Sequence, residues 1–201
     1  MYDLGGSFGG RTVEAGTNLL LSGPPLSGKE ALGYETLEHG AMAGEGSIVV
    51  TNTNSADRVR QIAPTLFEHD APVGVVDCIT KLQGYGTIAD TELVQYASSP
   101  EDMTGIGIKS SQLIEQFSVD RGLTHNRVLF ASVSTLLHYS TLQTVFRFLH
   151  VLTARIENTD AIGLFLVEAG VHDSETVTTI SRLFDGMLQV DADGSVTARF
   201  R

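Results

Sequence analysis

Ser22-Gly23-Pro24-Pro25-Leu26-Ser27-Gly28-Lys29-Glu30 (SGPPLSGKE) separates an apolar run, residues 17–22, from a helically patterned stretch, residues 28–43. Gly23, Gly28 and Lys29 stand at G-x-x-x-x-G-K spacing, with Pro24, Pro25, Leu26 and Ser27 as the intervening residues. That order of strand, glycine-bearing loop and helix makes an anion cradle. Successive backbone N–H groups point inward, the helix N-terminus adds partial positive charge, and Lys29 reaches the outer oxygens of a phosphate chain. The hydroxyl residue that completes the pattern is replaced by Glu30.

Outward from this loop, short apolar runs alternate with helical patterns, which predicts an α/β domain with a mainly parallel sheet flanked by helices. Further strands are expected at residues 47–52, 72–78, 126–134 and 160–170, and helices at 109–117, 141–158 and 175–184. Ser55 reads as the N-cap of a helix carrying Val59, Ile62 and Leu66, which Pro64 ends or kinks. Leu142, Val145, Phe146, Leu149, Leu152 and Ile156 mark the clearest amphipathic helix. The last two runs, joined through Ala192-Asp193-Gly194, predict a C-terminal β-hairpin. One domain spanning residues 1–201 accounts for the whole pattern.

The 201 residues are 42% hydrophobic and 18% charged, a balance typical of a globular domain. No apolar run is long enough to span a bilayer, and the N-terminus lacks the basic start and apolar core of a signal peptide. Cys78, the single cysteine, excludes an internal disulfide and fits a reducing cytoplasm. With 24 acidic residues against 13 basic ones the formal charge is −11, and the only lysines are Lys29, Lys81 and Lys109. Such a surface repels nucleic acid. It suits concentrated salt, where screening tolerates self-repulsion, as well as an ordinary acidic cytosolic protein.

The segments GTNLLLSGPPLSGKE (16–30), SIVVTNTNSADRVRQ (47–61) and VLFASVSTLL (128–137) resemble the KaiC-like branch of the RecA superfamily of ATPases. They are similar in particular to small divergent members from halophilic archaea. The likeness covers residues 13–200 and implies a RecA-like P-loop NTPase core with nucleotide at the strand ends. It also implies ATP as ligand, with Mg²⁺ left open, and assembly into homo-oligomers or hetero-oligomers with a related ATPase. The departures concern catalysis. Glu30 stands where the family places a Mg²⁺-binding hydroxyl. Thr53 and Asn54 align with a pair of glutamates, one of which activates water, and neither can act as a general base. Ala131 takes the place of a metal-positioning Asp, followed by Ser132, Val133 and Ser134. Losing the base alone slows hydrolysis by roughly two to four orders of magnitude.

These residues predict a catalytically degenerate nucleotide-sensing or scaffolding protein of signal transduction, with protein partners, no metal site and no catalytic residues. Two alternatives stay open. One is an active ATPase that uses Glu30, Glu168 or Asp173 as substitute ligands. The other is an interaction module whose loop is structural, Lys29 pairing with Glu30 or another carboxylate. Asp77 is expected to cap a turn, Cys78 to be buried, and Ser132 and Ser134 to offer hydroxyls toward a phosphate. None of the six histidines falls in a metal-binding spacing. Arg147 and Arg155 are candidate oligomer contacts.

Overall fold

A run of apolar residues without polar alternation forms a strand only when both of its faces are covered, as in parallel sheets packed between helices. The computed structural model, which describes residues 1–84 and 89–200, is built this way. Every residue of β3 (Asn18–Gly23), β4 (Gly46–Thr51), β5 (Val73–Asp77) and β7 (Asn126–Phe130) is buried. With β6 (Val94–Tyr96), β8 (Ile162–Glu168), β9 (Gly186–Val190) and β10 (Val196–Phe200) they make an eight-stranded sheet ordered β10-β9-β3-β8-β7-β4-β5-β6. All neighbours pair in parallel except the C-terminal hairpin β9–β10. A separate two-stranded piece, β1 (Tyr2–Asp3) with β2 (Thr12–Val13), precedes it.

The strands sort their side chains onto two faces. Leu19 and Leu21 of β3, Val49, Leu129 and Leu164 meet Tyr34, Leu37 and Ala41 of α1 (Lys29–Met42) and Val59 of α2 (Ala56–Ile62). Leu20, Val50, Val128, Phe130 and Phe165 face the other way. They pack on α3 (Met103–Glu115), α4 (Val133–Tyr139), α5 (Leu142–Glu157) and α6 (Ser174–Ser181). From α5 the buried apolar residues are Val145, Leu149, Leu152 and Ile156, four of the six in the expected stripe, with Leu142 and Phe146 half-buried.

The expected elements are present, with boundary corrections that have local causes. The strand read over residues 126–134 stops at Phe130, because the Ser132 hydroxyl accepts from the Thr135 N–H at 3.0 Å and starts α4. The helix expected at 109–117 begins at Met103, where the Asp102 carboxylate accepts from the Gly105 N–H at 2.8 Å. It runs on into a π-helical turn, Gln116–Asp120. Ser55 caps α2, which ends at Ile62 before a 3-10 turn opened by Pro64. Of the irregular stretch read between residues 79 and 107, residues 85–88 lie outside the described residues, and Val94–Tyr96 is a strand not foreseen.

One buried charge ties the amino edge together. Arg127 is 1% exposed. Its Nε donates to Glu45 Oε2 at 2.6 Å, and its Nη1 donates to the carbonyls of Asp3 (2.7 Å) and Thr36 (2.9 Å). The guanidinium also lies 5.5 Å from the centre of the Tyr2 ring. A Cβ at Gly40 of α1 would sit 2.3 Å from Arg127 Nε, which is why that helix carries a glycine. Arg127→Leu is expected to strand Glu45 and lower the unfolding free energy by about 3–5 kcal/mol, read as a shift in urea midpoint. The double variant with Glu45→Leu should recover most of that loss.

Candidate phosphate site

Strand β3 is central and its chain must turn sharply from the sheet edge into α1. Gly23 allows the turn to pass β9: a Cβ there would lie 2.7 Å from the Val190 carbonyl and 2.6 Å from Ser27 Oγ. Leu26 takes a left-handed φ of 63° with its side chain wholly exposed, and Gly28 follows at φ 85°. A left-handed conformation in a residue with a Cβ is strained, and such strain concentrates at functional loops. Among the described residues, the N–H groups of Gly28, Lys29, Glu30 and Ala31 donate to no backbone carbonyl, leaving the first turn of α1 open to an anion.

Lys29 is 9% exposed, and its Nζ donates to the Pro24 carbonyl at 3.2 Å. Among the described residues no carboxylate pairs with it, so the structural pairing of Lys29 with Glu30 that the interaction-module reading assumed is not formed. Glu30 turns elsewhere: its Oε1 accepts from Asn54 Nδ2 at 3.3 Å. Asn54 is itself fixed, its N–H donating to Thr51 Oγ1 (3.1 Å) and its carbonyl accepting from the same hydroxyl (2.7 Å).

These side chains surround one cavity of about 180 Å³ at the carboxyl edge of the sheet. It is lined by Lys29, Glu30, Thr53, Asn54, Ala131, Ser132, Leu166, Val167 and Glu168. Thus Glu30, Thr53, Asn54 and Ala131, singled out separately along the chain, meet at one point beside Lys29. Glu168 joins them from the end of β8. Asp173 does not: it caps α6, accepting from the Thr176 N–H and hydroxyl, each at 2.8 Å. Ser132 lines the cavity too, and the oxygens of Ser132 and Ser134 serve as acceptors. Ser132 Oγ accepts from Thr135, and Ser134 Oγ accepts from the Glu168 N–H at 2.9 Å. Asn52, unremarked in the sequence, donates through Nδ2 to the Ser132 carbonyl at 2.9 Å and leaves its buried Oδ1 unpartnered. Only its place at the end of a strand pointed to it.

Asp77 is fully buried at the end of β5 and accepts four hydrogen bonds. They come from the N–H groups of Ala56 (2.7 Å), Ile79 and Thr80 (2.8 Å each), and from the Thr80 hydroxyl (2.6 Å). It caps the following turn, as expected, and also holds the start of α2. Among the described residues no three His, Cys, Asp or Glu side chains converge to hold a metal ion, and no helix is long and apolar enough to cross a membrane.

Residues 16–190 match a family described as a family of unknown function, DUF7504. Among solved structures, the chain is similar to the KaiC-like protein PH0186 of the hyperthermophilic archaeon Pyrococcus horikoshii OT3. The TM-score is 0.60 at 18% identity, covering 91% of this chain and 74% of that one. At that identity the likeness establishes the fold, which is RecA-like. No curated protein shows detectable similarity to the sequence.

Cys78 is fully buried beside the site, and burial pushes its thiol well above the ordinary range, with the Asp77 and Asp102 carboxylates adding to the shift. Its alkylation by iodoacetamide at neutral pH is therefore expected to be at least about a thousandfold slower in the native protein than in denaturant. Mass spectrometry of quenched samples gives the two rates.

Proposed function

We propose that this chain, which belongs to the DUF7504 family, retains the polyphosphate of a nucleotide such as ATP without hydrolysing it and serves as a nucleotide-responsive regulatory component. The observation that carries the reading is the pairing of Lys29, which has no carboxylate partner among the described residues, with open first-turn N–H groups, in a cavity where Thr53, Asn54 and Ala131 stand in place of acidic side chains. At about 180 Å³ the cavity lies below the roughly 300–1,000 Å³ of small-molecule pockets. It accommodates terminal phosphates and leaves sugar and base over the exposed Pro25 and Leu26.

Binding of this kind uses only groups present in the chain. The N–H groups of α1 and Lys29 Nζ supply the positive field, Lys29 exchanging the Pro24 carbonyl for a phosphate oxygen. Glu30 opposes it: a carboxylate about 4 Å from a phosphate oxygen costs about 4 kcal/mol at an effective dielectric of about 20. The hydrogen bond from Asn54 draws that carboxylate toward the end of β4 and limits the cost. Where the metal ligand and base of an active site belong, Glu30, Thr53, Asn54 and Ala131 leave phosphate transfer without its usual charge neutralisation. Regulation then runs through contacts with protein partners, as a homo-oligomer or with a related ATPase. The acidic, lysine-poor composition supports work in a cytoplasm of concentrated salt.

A second reading has one observation in its favour: Glu30 and Glu168 line the same cavity and offer two carboxylates to a divalent ion. Calorimetric titration with ATP, with and without Mg²⁺, separates the two. The expected result is binding that is insensitive to Mg²⁺, is abolished by Lys29→Ala, and leaves phosphate release at background. Lys29-dependent phosphate release under Mg²⁺ would establish the active ATPase instead, and absence of heat would leave the loop structural. Glu30→Thr is expected to tighten ATP binding by about tenfold or more and make it Mg²⁺-dependent, as read by the same titration.

A further inference from the structure

On the sheet face opposite α1, helices α3 and α5 leave a trough between them. Its first part encloses about 650 Å³, with Met103, Ile108, Phe148 and Val151 among its apolar walls. It continues into a second hollow of about 480 Å³, sharing Ser111 and Val151 and reaching Asn158. From Thr144 to Asn158 the trough follows α5 for about 20 Å at 1.5 Å per residue. Ile108 is 53% and Val151 69% exposed, so apolar side chains stand in water along its walls.

Two further observations concern this trough and are independent of the phosphate site. Gly107 lies inside α3, where glycine weakens a helix relative to alanine. A Cβ there would meet Phe148 Cε2 at 3.6 Å, an ordinary contact, so packing does not demand the glycine. Its effect is a deeper floor. The second is charge. In a chain of formal charge −11 the trough carries Arg147, Arg155 and His150 against one carboxylate, Glu115, which Arg155 binds at 3.2 Å. Among the described residues Arg147 has no ion-pair or hydrogen-bond partner.

We propose that the α3–α5 trough docks an amphipathic helix of a protein partner. Apolar residues at i and i+4 of that helix lie over Ile108, Phe148 and Val151, and one of its carboxylates faces Arg147. An open trough of this length fits the helix-in-groove mode. A small ligand is normally 70–90% enclosed, roughly, which this open floor does not provide. A second copy of this chain, also of formal charge −11, would approach against net like-charge repulsion.

The test uses the full chain and a displayed library of 15-residue helical peptides, randomised at the apolar and flanking charged positions. Selected peptides are measured by fluorescence anisotropy. The expected winners carry apolar residues at i and i+4 and an Asp or Glu beside them. Val151→Glu and Gly107→Met should each weaken them by about tenfold or more. Arg147→Glu should do the same and be rescued by exchanging the peptide's acid for Lys. Thermal melts confirm that each variant folds. The proposal is overturned if no helical peptide is enriched, if binding ignores Val151→Glu, or if the charge exchange fails to rescue. It is equally overturned if the chain self-associates through this face, with the association lost in Val151→Glu.

Discussion

A cation can be buried in a protein only if the groups around it replace the water it gives up, and this structure meets that demand in opposite ways at the two edges of one sheet. At the amino edge Arg127 is surrounded by the Glu45 carboxylate and the carbonyls of Asp3 and Thr36. The network joins β1, α1 and β7 into one unit. At the carboxyl edge Lys29 is nearly as buried but holds a single carbonyl, that of Pro24. The first cation is part of the framework. The second keeps an unmet demand for negative charge, and the framework holds it in place.

Parallel pairing explains why that demand is met at one spot. Parallel strands end on a common edge, and the loops that leave them bring distant segments together. Lys29 and Glu30 follow β3, Thr53 and Asn54 follow β4, Ala131 and Ser132 follow β7, and Glu168 ends β8; all line one cavity. The same edge is stiffened by Asp77, whose carboxylate takes up donors of two turns at once. At this edge the left-handed backbone of a residue with a Cβ sits at the loop tip, at Leu26, while Asp160 takes the same conformation ahead of β8. The side chains lining the cavity are thus set by the sheet and its helices, while the loop carries the unusual backbone.

The two faces of the sheet differ in how completely their helices cover one another. On one face α1 and α2 close over the strands together with the N-terminal residues Tyr2 and Leu4. On the other, α3 and α5 bury their inner stripes yet leave Ile108 and Val151 in solvent between them. Among the hollows of the described residues, two differ sharply in character, one polar at the strand ends and one apolar along α3 and α5. They take different kinds of occupant.

Much of this was legible along the chain because it depends on neighbours within a few residues. Apolar runs, the spacing of the phosphate loop, the Ser55 cap, the stop at Pro64 and the inward stripe of α5 are local properties, and the structure contains each of them. Local reading failed where a local signal was ambiguous. The apolar run through Val133 continues smoothly past Phe130, and only the hydrogen bond of Ser132 marks the change from strand to helix. It also failed where strands are too short to show periodicity, as in β6 and β1. Sequence alone determined that a loop of G-x-x-x-x-G-K spacing follows a buried strand and that Glu30 comes directly after its lysine. Tertiary structure alone decided that Glu30, Thr53, Asn54 and Ala131 share one cavity with Glu168, that Lys29 has no carboxylate partner among the described residues, and that a hollow runs along α3 and α5. The reason is physical: dihedral preference and periodicity act over a few residues, whereas convergence depends on strand order and packing between segments far apart in the chain.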